Sequence, residues 1–244
     1  TGHSELVPGT GDFTVECFLY ANEFGNYPSI VDTRTSSSDT LGFFFGLNTS
    51  GQLYLYSHSA ERNRVVIQKG QWYHVALVRE SNVFKLYLDG RKVGIDYTQS
   101  QNYSRQIRYI GESSNTESQN WNMESFISNF RFTQAAVYTS NFTVPTEPLN
   151  SVTNTKLLCC QSSTSATATT VAPGSITASG GAFATRNELT GSTLLAVPGA
   201  SLQNGSFIAN GNFETGISGW STGNSATATY LVTSGPAGNG CINV

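Results

Sequence analysis

Trp72-Tyr73-His74-Val75-Ala76-Leu77-Val78-Arg79, then Glu80-Ser81-Asn82, then Val83-Phe84-Lys85-Leu86-Tyr87-Leu88-Asp89 reads as two extended runs joined by a short turn, with Asp89-Gly90 closing the second. Both runs are rich in aromatic and aliphatic side chains, which suit a pleated, half-buried surface. Asp-Gly supplies the positive φ angles that a tight hairpin turn needs. Working outward, Phe13, Val15, Cys17 and Leu19 alternate with Thr14, Glu16, Phe18 and Tyr20, the period-two signature of a strand. Phe43 to Leu47 and Leu53 to Tyr56 repeat the pattern across the turn signal Asn48-Thr49-Ser50-Gly51. Further strands are expected at Ile107–Ile110, Phe126–Thr133 and Lys156–Gln161. No segment carries a capped helical stripe. Many short strands between turns imply an all-β fold of two packed antiparallel sheets.

Composition narrows the function classes. Of 244 residues 38% are apolar and only 12% charged, about half the usual charged share. Surface polarity must then come from Ser, Thr, Asn, Gln and Gly, as in turn-rich β proteins outside a crowded cytosol. A net charge of −3 and 11% aromatic residues exclude a disordered chain. With 13 basic residues against 16 acidic ones, there is no electrostatic footing for nucleic acid. No apolar run is long enough to predict membrane insertion by a helix. There is no signal peptide and no initiator Met, so the sequence is expected to start after processing or inside a longer polypeptide.

Cys17, Cys159, Cys160 and Cys241 do not have the paired spacing of a zinc site. Cys159 and Cys160 are neighbours, and on a strand they would point to opposite faces. Buried free thiols, assembled in a reducing cytosol, are the expectation.

Three regions emerge. Residues 1–185 hold the strand pattern, with Ser175–Ser179 and Phe183 as a candidate closing edge strand in a stretch that otherwise looks like linker. Residues 186–204 read as a connector, with few large apolar residues beyond Leu189, Leu194, Leu195 and Leu202. A second pattern occupies 205–244, with strands expected at Thr227–Thr233 and Cys241–Val244. Some 40 residues without disulfides or metal rarely fold alone, so this last piece is expected to be the start of a larger module.

Gly9-Thr10-Gly11-Asp12-Phe13-Thr14-Val15-Glu16-Cys17-Phe18 resembles the "GTGDFTIECW" opening strand of laminin-G-like domains in bacteriophage structural proteins. Five more landmarks follow in order. Gly70 to Arg79 resembles the family's "W-x-HVA-x-x-R" strand, Phe84 to Gly90 its next strand and turn, and Tyr109-Ile110-Gly111 and Phe126 to Arg131 two further strands. Ala136-Val137-Tyr138-Thr139-Ser140-Asn141-Phe142-Thr143-Val144-Pro145-Thr146-Glu147-Pro148-Leu149, with Asn154 to Cys160, resembles the tailed-phage segment "LYTANFTPPTAPL". The resemblance spans about residues 4–185 and implies a concanavalin-like antiparallel β-sandwich, or jelly roll. Ile208 to Trp220 resembles the "NGDFETG-x-x-GW" start of jelly-roll carbohydrate-binding modules and implies a partial second β-sandwich.

An enzyme on this fold would most naturally be a glycoside hydrolase, which needs two carboxylates about 5–10 Å apart. The family's Glu-x-Asp-x-Glu strand is missing, and Glu112 and Glu117 sit in a Ser/Asn-rich loop. His3, His58 and His74 are scattered, and His74, mid-strand, is expected to pack or hydrogen-bond. No Ser-His-Asp signature is present. A non-enzymatic protein is therefore expected. Asp39 aligns with one calcium-ligating Asp of laminin-G domains, but where the second carboxylate should fall the chain has Gln101-Asn102-Tyr103-Ser104-Arg105. Calcium thus has one candidate ligand only. Sugar binding uses aromatic faces in rim loops, and Trp121, Tyr103 and Tyr27 are the candidates, while Trp72 and Trp220 are expected in the core.

The resemblance implies a virion-surface protein of a tailed phage (a tail fibre, capsid fibre or decoration protein) assembled in the host cytoplasm. Its expected partners are other virion proteins, copies of itself and a host-surface glycan. The alternative is a glycan-binding adhesin module of a bacterial extracellular surface protein.

Overall fold

The computed structural model describes residues 3–114, 123–178 and 182–184, together with the backbone of two short strands, Thr229–Leu231 and Cys241–Asn243. The chain divides into two compact units, Thr1–Gly191 and Ser192–Val244. Apart from those two strands, which pair antiparallel inside the runs expected for them, the connector and second module lie outside the described residues.

The first unit opens with a single 3-10 turn at Ser4–Leu6. Among the described residues eleven strands follow: β1 Phe13–Tyr20, β2 Ser29–Asp32, β3 Phe44–Leu47, β4 Gln52–Ser57, β5 Ala60–Val66, β6 Trp72–Glu80, β7 Val83–Leu88, β8 Arg91–Thr98, β9 Phe126–Thr133, β10 Thr155–Cys159 and β11 Thr169–Val171. They form a seven-stranded sheet in the order β11-β10-β9-β1-β6-β7-β8 and a four-stranded sheet β2-β3-β4-β5, with antiparallel pairing throughout. The decisive pair Trp72–Asp89 is a hairpin, with Leu77 opposite Leu86 and Glu80 opposite Val83. Ser81, Asn82 and Asp89 take the positive φ angles that its turns require.

The strand period sets the core. Phe13, Val15, Cys17 and Leu19 of β1 share it with Val75 and Leu77 of β6, Phe130 and Phe132 of β9, and Phe45, Leu53 and Leu55 from the smaller sheet. Burying each such side chain contributes about 1.5–3 kcal/mol. One edge of the sandwich is closed by β5 and β8: Asn63 donates Nδ2–H to the Phe84 carbonyl at 3.0 Å, and a Cβ on Gly94 would stand 3.1 Å from Asn63 Cα.

Several elements differ from expectation. Ile107–Ile110 is not a strand: the backbone at its two ends is held by different neighbours, Ile107 N–H donating to the Leu6 carbonyl and the following Gly111 N–H to that of Ile30. Residues 175–178 are irregular, and the edge strand is β11 in the preceding linker-like stretch. Cys159 and Cys160 do not point apart. β10 ends at Cys159, and Cys160 turns into the left-handed region (φ 59°), bringing the two sulfurs to 3.7 Å.

Candidate functional site

The even-numbered residues of β1 face away from the inter-sheet core and organise the outer face of the large sheet. At its open end Tyr20 lies directly opposite Trp72 on β6 and directly opposite Phe126 on β9. The three rings form one row across three strands, with centroids 5.5 Å apart from Trp72 to Tyr20 and 6.0 Å from Tyr20 to Phe126. Phe126 is 41% exposed, and Trp72 and Tyr20 are half-buried. The row stays uncrowded because β7 ends at Leu88, opposite Val75, and β10 ends at Cys159, opposite Phe130. Neither flanking strand reaches it. Backbone and polar groups border it: Gly70 lies 3.9 Å (from its would-be Cβ) from the Tyr20 hydroxyl, and Ser125 Oγ accepts from Asn22 N–H at 3.0 Å. One residue pair further in, the half-buried Phe18 packs edge-on against His74, centroids 5.0 Å apart.

Beyond that pair the face is sealed. Residues 134–149 lie over it, with Ala136, Tyr138 and Phe142 packed on Ala76, Val78 and Tyr87. The Tyr138 and Phe142 rings stack at 3.6 Å. Beneath them Glu16, with no solvent exposure, accepts from Arg131 at 2.9 and 2.7 Å on Oε1, and from His74 Nε2 at 3.1 Å and the Tyr138 hydroxyl at 2.7 Å on Oε2. A carboxylate only accepts, so His74 carries its proton on Nε2 here. Burial alone pushes the Glu16 carboxyl up. The His74 hydrogen bond, the Arg131 charge and the Tyr138 hydroxyl outweigh it and hold the group below the ordinary value of 4.5. Glu, His, Arg and Tyr together resemble catalytic furniture, but this carboxylate is saturated with donors and roofed by protein. A glycosidase pair needs a second carboxylate and a sugar between them. The cluster clasps residues 134–149 to the sheet, and His74 is the hydrogen-bonding residue expected from its place mid-strand.

Of the sugar-binding residues expected from the sequence, the two that are described, Tyr103 and Tyr27, are not part of the row. Tyr103 is a correction: it is 0% exposed, its ring lying 5.7 Å from Phe43 and 5.6 Å from Phe84 and its hydroxyl 2.7 Å from Ser57 Oγ. A two-way backbone bridge to Gly9 draws it inside, and burial pushes its hydroxyl up to about 12. Tyr27 is half-buried with φ 52°, just before β2 of the other sheet. Trp121, Glu117 and Trp220 lie outside the described residues. Trp72 is a second correction: β6 places it on the outer face, in phase with His74, not in the core.

Asp39 does not fit calcium. Its Oδ2 accepts from the Thr35 amide, the Thr35 hydroxyl and Arg105 Nε at 2.9, 2.8 and 2.9 Å, and its Oδ1 accepts from the Leu41 amide at 2.9 Å. Four donors, one of them cationic, occupy the oxygens that a divalent ion would need. Burial raises the Asp39 carboxyl, and these hydrogen bonds with the Arg105 charge more than reverse that. The residue pins its own loop. The row was accessible to sequence reasoning by phase: with Phe13 to Leu19 in the core, Tyr20 must face out, and the strand opposite must present Trp72 beside it.

A family model described as the concanavalin A-like lectin/glucanases superfamily matches residues 1–144. The chain belongs to this superfamily. No curated protein matches the sequence. Among solved structures, this superfamily member is similar to a Bacteroides ovatus protein provisionally named a carbohydrate binding protein, with 14% identity and a TM-score of 0.46 over 62% of this chain and 46% of that one. It is also similar to the heptameric SAP-like pentraxin of Limulus polyphemus (16% identity, TM-score 0.41, 55% of this chain and 68% of that one). A third is the Ruminococcus gnavus sialidase module CBM40 bound to α2,3 sialyllactose (9% identity, TM-score 0.42, 54% of this chain and 80% of that one). The chain thus spans less than half the length of the Bacteroides protein.

Proposed function

We propose that the first unit is a non-catalytic glycan-binding module, that it stacks sugar rings on the Trp72–Tyr20–Phe126 row, and that it is displayed on the surface of a tailed-phage particle. The carrying observation is the row itself. Three large aromatic rings sit side by side on the outer face of the sheet end, away from the inter-sheet core, with Phe126 exposed and Tyr20 and Trp72 half-buried. Such a patch marks a contact site, and pyranose faces stack on aromatic rings while polar neighbours take the hydroxyls. Membership of a lectin and glucanase superfamily supports the ligand class, and the donor-saturated Glu16 supports binding without hydrolysis. Display on a phage particle rests on the ordered sequence landmarks, above all Ala136–Leu149, whose Tyr138 and Phe142 form the roof of the Glu16 cluster.

A glycan array probed with the whole chain, followed by calorimetry on the strongest hit, tests the binding. Trp72→Ala and Phe126→Ala are each expected to weaken affinity about tenfold, which is about 1.4 kcal/mol, with the β-sheet circular dichroism spectrum retained. An array without hits, or a Trp72→Ala chain that binds as well as the parent, overturns it. Labelling of particles against bacterial cell surfaces with an antibody to the chain decides the location: a signal confined to cells replaces the phage reading with a bacterial adhesin.

A further inference from the structure

The geometry points to Cys159 and Cys160 as a reversible dithiol–disulfide site, with Cys160 as the attacking thiol and Cys159 as the resolving one. This is independent of the sugar-binding reading. Adjacent cysteines on a strand would face opposite ways, and here they do not. Cys160 takes φ 59°, a left-handed conformation that costs a non-glycine residue energy. The result is a sulfur–sulfur approach of 3.7 Å. Nothing in the sheet ladder demands that turn at a cysteine; Asn129 N–H donates to the Cys160 carbonyl at 2.9 Å, a bond any residue there would make. The two thiols also differ in access. Cys159 is buried, whereas Cys160 is packed on the core but keeps partial exposure, so of the two it is the one a small oxidant reaches first. Their mutual hydrogen bond raises the Cys159 thiol and lowers the Cys160 thiol below its ordinary value, which favours thiolate at the accessible position.

The chemistry balances with a low-molecular-weight disulfide as oxidant. The Cys160 thiolate attacks one sulfur of the oxidant, forming a mixed disulfide and releasing one small thiolate. Cys159 then attacks the Cys160 sulfur. A Cys159–Cys160 bond forms, the mixed bond breaks, and a second small thiolate leaves. The two protons given up by the cysteines end on the two small thiols, so the chain loses two electrons and the oxidant gains them. Adjacent Cα atoms sit about 3.8 Å apart, closer than the usual disulfide span of about 4.4–6.8 Å. The product is therefore strained and readily reduced, the behaviour of a switch and not of a structural cross-link.

The test uses the full chain, exposed to glutathione disulfide and then to an alkylating reagent, digested with trypsin and weighed. Cleavage after Lys156 and Arg186 leaves both cysteines on one peptide, 157–186, apart from Cys17 and Cys241. The expected oxidised peptide carries no alkyl group and is lighter by two hydrogens; dithiothreitol without denaturant restores two alkylation sites. Cys160→Ser abolishes ring closure, while Cys17→Ser and Cys241→Ser leave it intact. A peptide that takes two alkyl groups at every oxidant concentration overturns the proposal. So does a stable glutathione adduct without closure, or a link from Cys160 to Cys17 or Cys241. The parent chain's peptide mass decides the matter even if Cys160→Ser does not fold.

Discussion

Glu16 receives four hydrogen bonds with no solvent exposure, and its loss would leave the buried Arg131 guanidinium without its carboxylate partner. Breaking one partner of a buried pair costs about 3–5 kcal/mol. Glu16→Gln is expected to fall in that range by urea denaturation, because one oxygen becomes an amide donor facing donors. The pH dependence has a definite sign. The folded carboxyl titrates below 4.5, so the native state binds this proton less readily than the unfolded chain does. Its contribution is complete above the unfolded value and fades as pH falls through the folded one. Denaturation midpoints taken from roughly pH 6 to 3 should drop steeply in the parent and less so in Glu16→Gln. Asp39, also held low, leaves a residual slope. An equal slope in both proteins would remove Glu16 from the account. At this scale the sequence was only partly readable. Alternation told which face Glu16 and Tyr20 occupy, but nothing local shows that Tyr138, over 120 residues away, completes the carboxylate's shell or that Gly9 pulls Tyr103 inside.

At the level of elements, legibility followed burial. β1, β3, β4, β6, β7, β9 and β10 were foreseeable because at least one face is buried, which prints an apolar rhythm on the chain. β8 is a sheet edge with nearly every residue exposed, so Arg91 to Thr98 carries no such rhythm, and β5 mixes Glu61, Arg62, Asn63 and Arg64 into a strand held by pairing with β4. β2 spans only four residues. The covering segment 134–149 is legible only as a landmark, since it has no regular hydrogen-bond ladder. Its docking depends on close backbone approach at Gly90, where φ is +74° and an added Cβ would lie 2.1 Å from the Phe142 carbonyl oxygen. Phe142 N–H donates back to the Gly90 carbonyl at 2.8 Å. Gly90→Ala is therefore expected to cost about 1–3 kcal/mol and to speed hydrogen exchange at the Phe142 amide ahead of the sheet amides. Unchanged exchange there would mean that the segment is held elsewhere.

Across the whole first unit, one strand ties both sheets into a single cooperative body. β1 pairs with β6 and β9 on either side, partners some 60 and 115 residues along the chain as measured by Phe18↔His74 and Glu16↔Arg131. Its first residue, Phe13, crosses the sandwich: the ring stacks on Phe43, next to the small sheet, at 5.5 Å, and meets Phe84 and Phe132 of the large sheet at 5.8 and 6.3 Å. If the sheets share one core, a cavity at this ring must be felt by both. Phe13→Ala is expected to destabilise the unit by about 3–5 kcal/mol. It should also lower hydrogen-exchange protection by the same free energy in β3 as in β7, since amides that open only by global unfolding all report the global stability. If β7 amides weaken while β3 amides keep their protection, the smaller sheet opens and closes on its own. The aromatic row would then sit on one stable layer instead of on a sandwich that folds as a whole.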